Sequence, residues 1–279
     1  MGAMGAMMPH YDVVDVVEDA PKMCGFEPTP EDYALMRQVV EEERQEDLVM
    51  HRRRFEPSSV ININTFFHIV VESEAVKHAL TDDTMRLQLD IMNKDYARAG
   101  FSFTLVAITR TVNRKWVREI QIVNMRRALH AGSWRDLNLY FIPTFPLFGV
   151  CSLPSRPADF DPGRLDLDGC IIRADTVPGG DLPNFNMGRT AVHEVGHWLG
   201  LFHTFEGGCD GNGDFVDDTP AQKNATGGCP QSRDSCPHRP GVDPIHNFMD
   251  YSHDWCYSEF TPGQIRRMHD VWKKFRSAL

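Results

Sequence analysis

Long apolar runs are missing from this 279-residue chain. Nowhere do the about eighteen consecutive apolar residues of a membrane-spanning helix occur, so no membrane span is expected. Positive charge is scarce too. Lys and Arg number 29 against 39 Asp and Glu, a net charge of -10, which argues against a nucleic-acid binder that works by neutralising phosphates. The first residues, Met1 to Met8, lack the basic end and apolar stretch of an export signal. The repeated Met-Gly-Ala opening reads instead as an added tag, so that lack says little about localisation. Internal repeats are absent as well.

Cysteine is sparse before residue 150 and frequent after it: Cys24 stands alone, while Cys151, Cys170, Cys209, Cys229, Cys236 and Cys256 follow. An even set plus one outlier suggests three disulfides and a separate task for Cys24; the bland alternative is seven reduced thiols packed as small hydrophobes. Asn224-Ala225-Thr226, an N-glycosylation acceptor in a loop-rich stretch, leans towards a secreted protein.

Hydrophobic periodicity lays out the chain. Residues 1–57 are densely charged, with one helix expected over about 30–51 and an Arg52-Arg53-Arg54 run after it. A strand enters a core at 61–71, where alternation gives way to a continuous apolar run. A helix over 82–99 ends at Gly100. Strands follow at 101–111 and 137–142 around a helix at 119–130, then short strands at 147–153 and 169–174 and a helix over 188–201. Alternating strands and helices indicate an α/β sheet layer. Residues 207–244 are so rich in Gly, Pro, Asp, Asn and Cys that disulfides or bound ions must order them. Thr261 and Pro262 open a last helix that runs to about 275.

The most informative string is His193-Glu194-Val195-Gly196-His197-Trp198-Leu199-Gly200-Leu201-Phe202-His203. Two imidazoles four residues apart project from one face of a helix and can share a metal, and neutral imidazole suits zinc. A third ligand six residues further on would point away if the helix continued. Gly200 can take positive φ, stop the helix and swing His203 back. Three protein ligands leave one position open, the mark of a catalytic zinc, with Glu194 placed to take a proton from the attacking water. This is the extended metzincin pattern, and Met249, in the turn-prone Asn247-Phe248-Met249-Asp250-Tyr251, stands where that pattern needs a methionine beneath the histidines.

Residues 193–205 and 247–251 resemble the pappalysin family of metzincins, a likeness that spans about 61–275. The resemblance implies an α/β (α+β) zincin fold: a twisted mixed sheet with two long helices in an upper subdomain (55–203), and an irregular, disulfide-stapled lower subdomain (204–279) ending in a helix. It implies a secreted zinc endopeptidase acting on proteins or peptides, the substrate pairing with a sheet edge around 148–153. Tyr251 would help to stabilise the tetrahedral intermediate. Cys209 would pair with Cys236 and Cys229 with Cys256, and parity then joins Cys151 to Cys170. Calcium is expected near the 209–220 loop, with Asp214, Val216, Asp218 and Thr219 as ligands.

Pro21 to Pro28, around Cys24, is similar to metzincin cysteine-switch segments. Residues 1–54 would then be a tag remnant plus a propeptide, an intramolecular inhibitor whose thiolate fills the open zinc position, with the arginine run as a processing site. A leader with an incidental thiol is the alternative. Basic-selective family members carry an aspartate before the last cysteine, whereas this chain has Trp255. Trp255, with Asp254, would make a smaller or more apolar specificity pocket, or else Trp255 packs on the Cys229–Cys256 bridge. A non-catalytic zinc-binding adhesion or effector module on the same fold is the rival reading.

Overall fold

The structure is a computed structural model and describes residues 23–50, 57, 59–154 and 162–277. The opening tag and the Arg52-Arg53-Arg54 run lie outside the described residues.

A five-stranded mixed sheet organises the chain. Its strands are β1 (Ile61–Val71), β2 (Phe101–Val112), β3 (Leu137–Ile142), β4 (Gly149–Cys151) and β5 (Cys170–Arg173), in the order β2-β1-β3-β5-β4. Four strands run parallel, and β4 lies antiparallel to β5 at one edge. β1 shows why the sequence alternates and then stops alternating. Ile63 and Thr65 are buried between exposed neighbours, whereas residues 67–71 are buried on both faces, as parallel strands covered by helices require. One face carries α2 (Asp82–Tyr96) and α6 (Arg189–Trp198), with Phe67, Ile69, Met92, Val195 and Trp198 in a shared core. The opposite face is covered by α3 (Arg114–Arg118) and α4 (Ile122–Leu129), which bury Val117 and Met125 against Val70 and Tyr140.

The helix expected at 119–130 is the shorter α4, and α3 precedes it as a separate turn outside that range. Ile120 adopts a φ of 49°, a conformation costly for a β-branched residue, and it separates α3 from α4. The helix at 82–99 closes as a 3-10 turn over Ala97–Ala99, with Gly100 left-handed after it. The last helix, α7 (Pro262–Val271), is opened by a capping box between Thr261 and Gln264 and continues as a π-helical turn over Trp272–Arg276. A one-turn helix, α5 (Pro162–Leu165), precedes β5.

All three anticipated disulfides are present: Cys151–Cys170 across β4 and β5, Cys209–Cys236 and Cys229–Cys256. The latter two staple the irregular segment after α6, where burial alone could not order so polar a chain. Cys24 is the free thiol, and it is buried.

The leader packs on the folded body. Helix α1 (Pro30–Met50) sets Leu35, Met36 and Val39 against Phe202, Val271 and Phe275. Its acidic residues meet the basic side of α7 and the turn after it: Glu43 with Arg267 at 2.7 Å, Asp47 with Arg266, and Glu42 with Lys274 at 2.7 Å. The first of these is the most enclosed, which makes it the pair worth most.

The end of the chain is fastened to the end of α6. Arg276 and Asp168 form a buried pair at 3.0 Å; Asp168 also accepts the Trp198 indole N–H at 2.8 Å, while Arg276 donates to the Trp198 carbonyl and lies 3.4 Å over its ring. Removing one partner of a buried pair strands the other charge. Arg276→Met is expected to lower unfolding free energy by about 3–5 kcal/mol in denaturant titration, and a loss under about 1 kcal/mol, as for an exposed pair, would contradict the claim.

Candidate metal centre

The helix carrying the first two histidines ends at Gly200, with a φ of 91°. Gly200 N–H bonds the His197 carbonyl at 2.8 Å and Leu201 N–H the Gly196 carbonyl at 2.9 Å, the paired bonds of a Schellman motif. A Cβ on Gly200 would also stand 2.7 Å from Val271. The turn brings His203 back against His197, with Nε2 atoms 3.2 Å apart; His193 Nε2 lies 3.2 Å from His197 Nε2 on the other side.

Two of these nitrogens, those of His193 and His197, meet as lone pairs. His193 Nδ1 is 2.7 Å from the Phe248 carbonyl and His197 Nδ1 2.7 Å from the Leu201 carbonyl. A carbonyl can only accept, so in both rings Nδ1 holds the proton and Nε2 is bare. Burial keeps the rings neutral: it draws His193 down to about 4 and pushes His197 and His203 well below the ordinary imidazole value, the adjoining rings lowering the last two further. Nitrogens about 2.0 Å from a tetrahedral centre are about 3.3 Å apart, close to the spacing seen. The three rings can therefore hold zinc, and without a cation the lone pairs of His193 and His197 would repel.

Glu194 lies beside them, fully buried, and neither carboxylate oxygen has a hydrogen-bond partner. Desolvation raises it to about 8. Its place depends on Gly149 of β4, because a Cβ there would fall 2.5 Å from Glu194 Cγ. Gly196 does the same for the floor of the site: a Cβ would meet Met249 Sδ at 2.4 Å. Met249 thus lies directly beneath the helix face that bears the histidines. Tyr251 reaches the site from the same turn, its hydroxyl 3.2 Å from His203 Nε2.

The leader closes the open side. Cys24 Sγ is 3.5 Å from His197 Nε2, and all four donors lie within 4.8 Å of one another. A sulfur at about 2.3 Å and a nitrogen at about 2.0 Å on one tetrahedral centre would be separated by about 3.5 Å. Burial and the Glu194 carboxylate push the thiol pKa up, so a thiolate here needs a cation beside it. Residues 23–25 lie along the β4 edge, with Gly25 N–H on the Gly149 carbonyl at 2.9 Å and the amides of Phe148 and Gly149 on the Met23 carbonyl.

Sequence inspection missed several contributors. Phe26 stacks on His197 at 4.1 Å, Phe205 on His203 at 4.7 Å, and Asp250 ties the methionine turn to Gln222 and to the Thr226 amide. Nothing in the string distinguishes these aromatics from ordinary core, but Gly149, just before a strand cysteine, was a visible irregularity.

Of the oxygen-rich residues, Asp214 is buried and raised to about 7 by desolvation, with the Val216 amide and the Thr219 hydroxyl beside its carboxylate. Val216 is buried nearby. Asp218 spends its carboxylate on the start of α7, accepting from the Thr261 hydroxyl at 2.7 Å and Gly263 N–H at 2.8 Å. Asp254 is buried and accepts from the Met187 amide, holding the entry to α6, while Trp255 is 56% exposed and packs edge-on to His253. The space beside Glu194 is lined by Phe148, Arg189, Thr190 and Tyr257, with Met23 of the leader across it.

The family model described as pregnancy-associated plasma protein-A matches residues 179–273. An extracellular metalloprotease of Pyricularia oryzae is 50% identical over 222 residues, 78% of this chain and 77% of the relative. One from Verticillium alfalfae is 44% identical over 92% of each chain. Among solved structures, a mutant of Tannerella forsythia promirolysin aligns with a TM-score of 0.68 and 25% identity, covering 91% of this chain and 95% of its own. Mature mirolysin in complex with a cleaved peptide gives 0.65 and 28%, covering 79% and 97%.

The crowding at β4 makes a specific test. Gly149→Ala is expected to displace the Glu194 carboxylate, lowering kcat by roughly 100-fold while zinc content by metal analysis is retained. Unchanged turnover would contradict the close approach.

Proposed function

The chain belongs to the pappalysin family and is a zinc metalloprotease; from that premise we propose that it is a secreted endopeptidase, held latent in the full chain, in which Glu194 serves as general base. The observation that carries this is the meeting of three imidazole nitrogens, two of them bare, beside a buried carboxylate. His193, His197 and His203 would hold one zinc. Bound there, the metal supplies a Lewis acid that polarises a scissile carbonyl and acidifies water.

Glu194 does the proton work. It is buried directly beside the three rings, a position that suits a group that takes a proton from attacking water and returns it to the leaving amine. Tyr251 donates its hydroxyl to the oxygen on which negative charge develops. The substrate backbone would add to the β4 edge, where residues 23–25 now lie. A non-catalytic module would gain nothing from burying Glu194 unpaired, at a cost of several kcal/mol.

Latency follows from the same contacts. Cys24 takes the fourth donor position, Phe26 covers His197, and α1 anchors the leader to α7. The longer overlap with promirolysin than with mature mirolysin supports reading 1–54 as a pro-segment. The extracellular relatives support secretion, and no helix of the described residues is long and apolar enough to cross a membrane. Calcium is proposed at the 209–219 loop, where the buried Asp214 carboxylate and the Thr219 hydroxyl beside it would meet a cation, with the Val216 carbonyl and, in place of its bonds to α7, Asp218 as further ligands.

Two assays separate the parts of this reading. With the leader removed, Glu194→Ala is expected to lose at least about 1,000-fold in casein cleavage and keep its zinc; equal cleavage by variant and parent would sink the role of Glu194. In the unprocessed chain, Cys24→Ala is expected to hydrolyse a peptide library faster than the parent, and equally low activity in both would remove the switch. His203→Ala should lose most of its zinc in metal analysis.

A further inference from the structure

The acceptor motif Asn224-Ala225-Thr226 is the single Asn-x-Ser/Thr triplet in the chain, and the structure shows what a sugar on it would meet. Asn224 is exposed, on a loop bracketed by the Cys209–Cys236 and Cys229–Cys256 bridges. Its side chain makes one hydrogen bond, and it uses the oxygen: Arg233 donates to Oδ1 at 2.7 Å. Nδ2, the atom that takes a glycan, has no partner among the described residues.

We infer that Asn224 is an N-glycosylation site, filled during synthesis and before the loop folds. In the transfer the amide nitrogen bonds to C1 of an oligosaccharide carried on a polyisoprenyl diphosphate. The C1–oxygen bond to that diphosphate breaks, the diphosphate leaves with the electron pair, and the amide proton passes to a base of the transferase. Oδ1 remains an amide carbonyl, so the Arg233 bond survives modification.

The timing follows from Thr226. Its hydroxyl, which a transferase must read, is buried in the folded chain; Gln222 donates to it at 3.0 Å and Arg233 at 3.3 Å, while its amide is held by Asp250 at 2.9 Å. Asp250 belongs to the methionine turn, so the motif is sealed by the folding of the active-site floor itself. The acceptor must therefore be used while this segment is still extended, ahead of closure of the Cys229–Cys256 bridge.

This inference rests on the secretory reading for its biology, but the site can be tested apart from it. The full chain is directed into the endoplasmic reticulum of yeast by a fused signal, and the disulfide-bonded product is analysed by intact mass before and after peptide N-glycosidase. The expected result is an added mass that the glycosidase removes, leaving aspartate at position 224 in the digest, and no added mass in Asn224→Gln. Unmodified Asn224 in oxidised, lumenal protein would overturn the site even if the native chain is exported. For timing, bacterial protein is offered to microsomal membranes folded or reduced. The reduced chain is expected to be modified and the folded one spared; equal modification of both would overturn the order of events.

Discussion

The structure turns on three imidazole nitrogens that face one another at the spacing of a tetrahedral metal site, two of them with bare lone pairs. Two of the rings have their outer nitrogens bonded to carbonyls, of Phe248 and Leu201, and burial keeps them neutral. Such an arrangement is unfavourable in itself, and the fold must hold it in place until a cation makes it favourable. Much of the surrounding architecture serves that purpose: the Schellman turn at Gly200, the methionine turn below, and the buried Arg276–Asp168 pair that fastens the end of α6.

Close approach does the rest, and hydrogen in place of a methyl group makes it possible. Gly196 admits Met249 under the helix, Gly200 lies on Val271, and Gly149 leaves room for Glu194. The three positions answer to different pressures. Gly200 needs its backbone conformation as well as the space, whereas Gly149 and Gly196 matter through contact alone.

Legibility in the sequence followed the range of the interaction. The metal string could be read because it is local: helix period and one helix-stopping glycine fix where three rings point. The β1 pattern told its burial for the same reason. Long-range partners were not legible. That Glu43 would meet Arg267, or Arg276 reach Asp168, depends on tertiary packing that no periodicity encodes. Asp254 shows the same limit: family likeness drew attention to it, but its bond to the Met187 amide could not be read from the string. The break at Ile120 had no signal, since isoleucine is an ordinary helix residue that is forced there into positive φ.

The leader brings a fourth candidate donor, Cys24, to the three rings. Thiol and imidazole meet at the spacing of a tetrahedral zinc site, along a sheet edge that an extended substrate would otherwise use. X-ray absorption at the zinc edge of the full-length, zinc-loaded chain tests this most directly. The account predicts three nitrogens at about 2.0 Å and one sulfur at about 2.3 Å, the sulfur lost in Cys24→Ala. A shell without sulfur in the parent chain, or with fewer than three nitrogens, would contradict it.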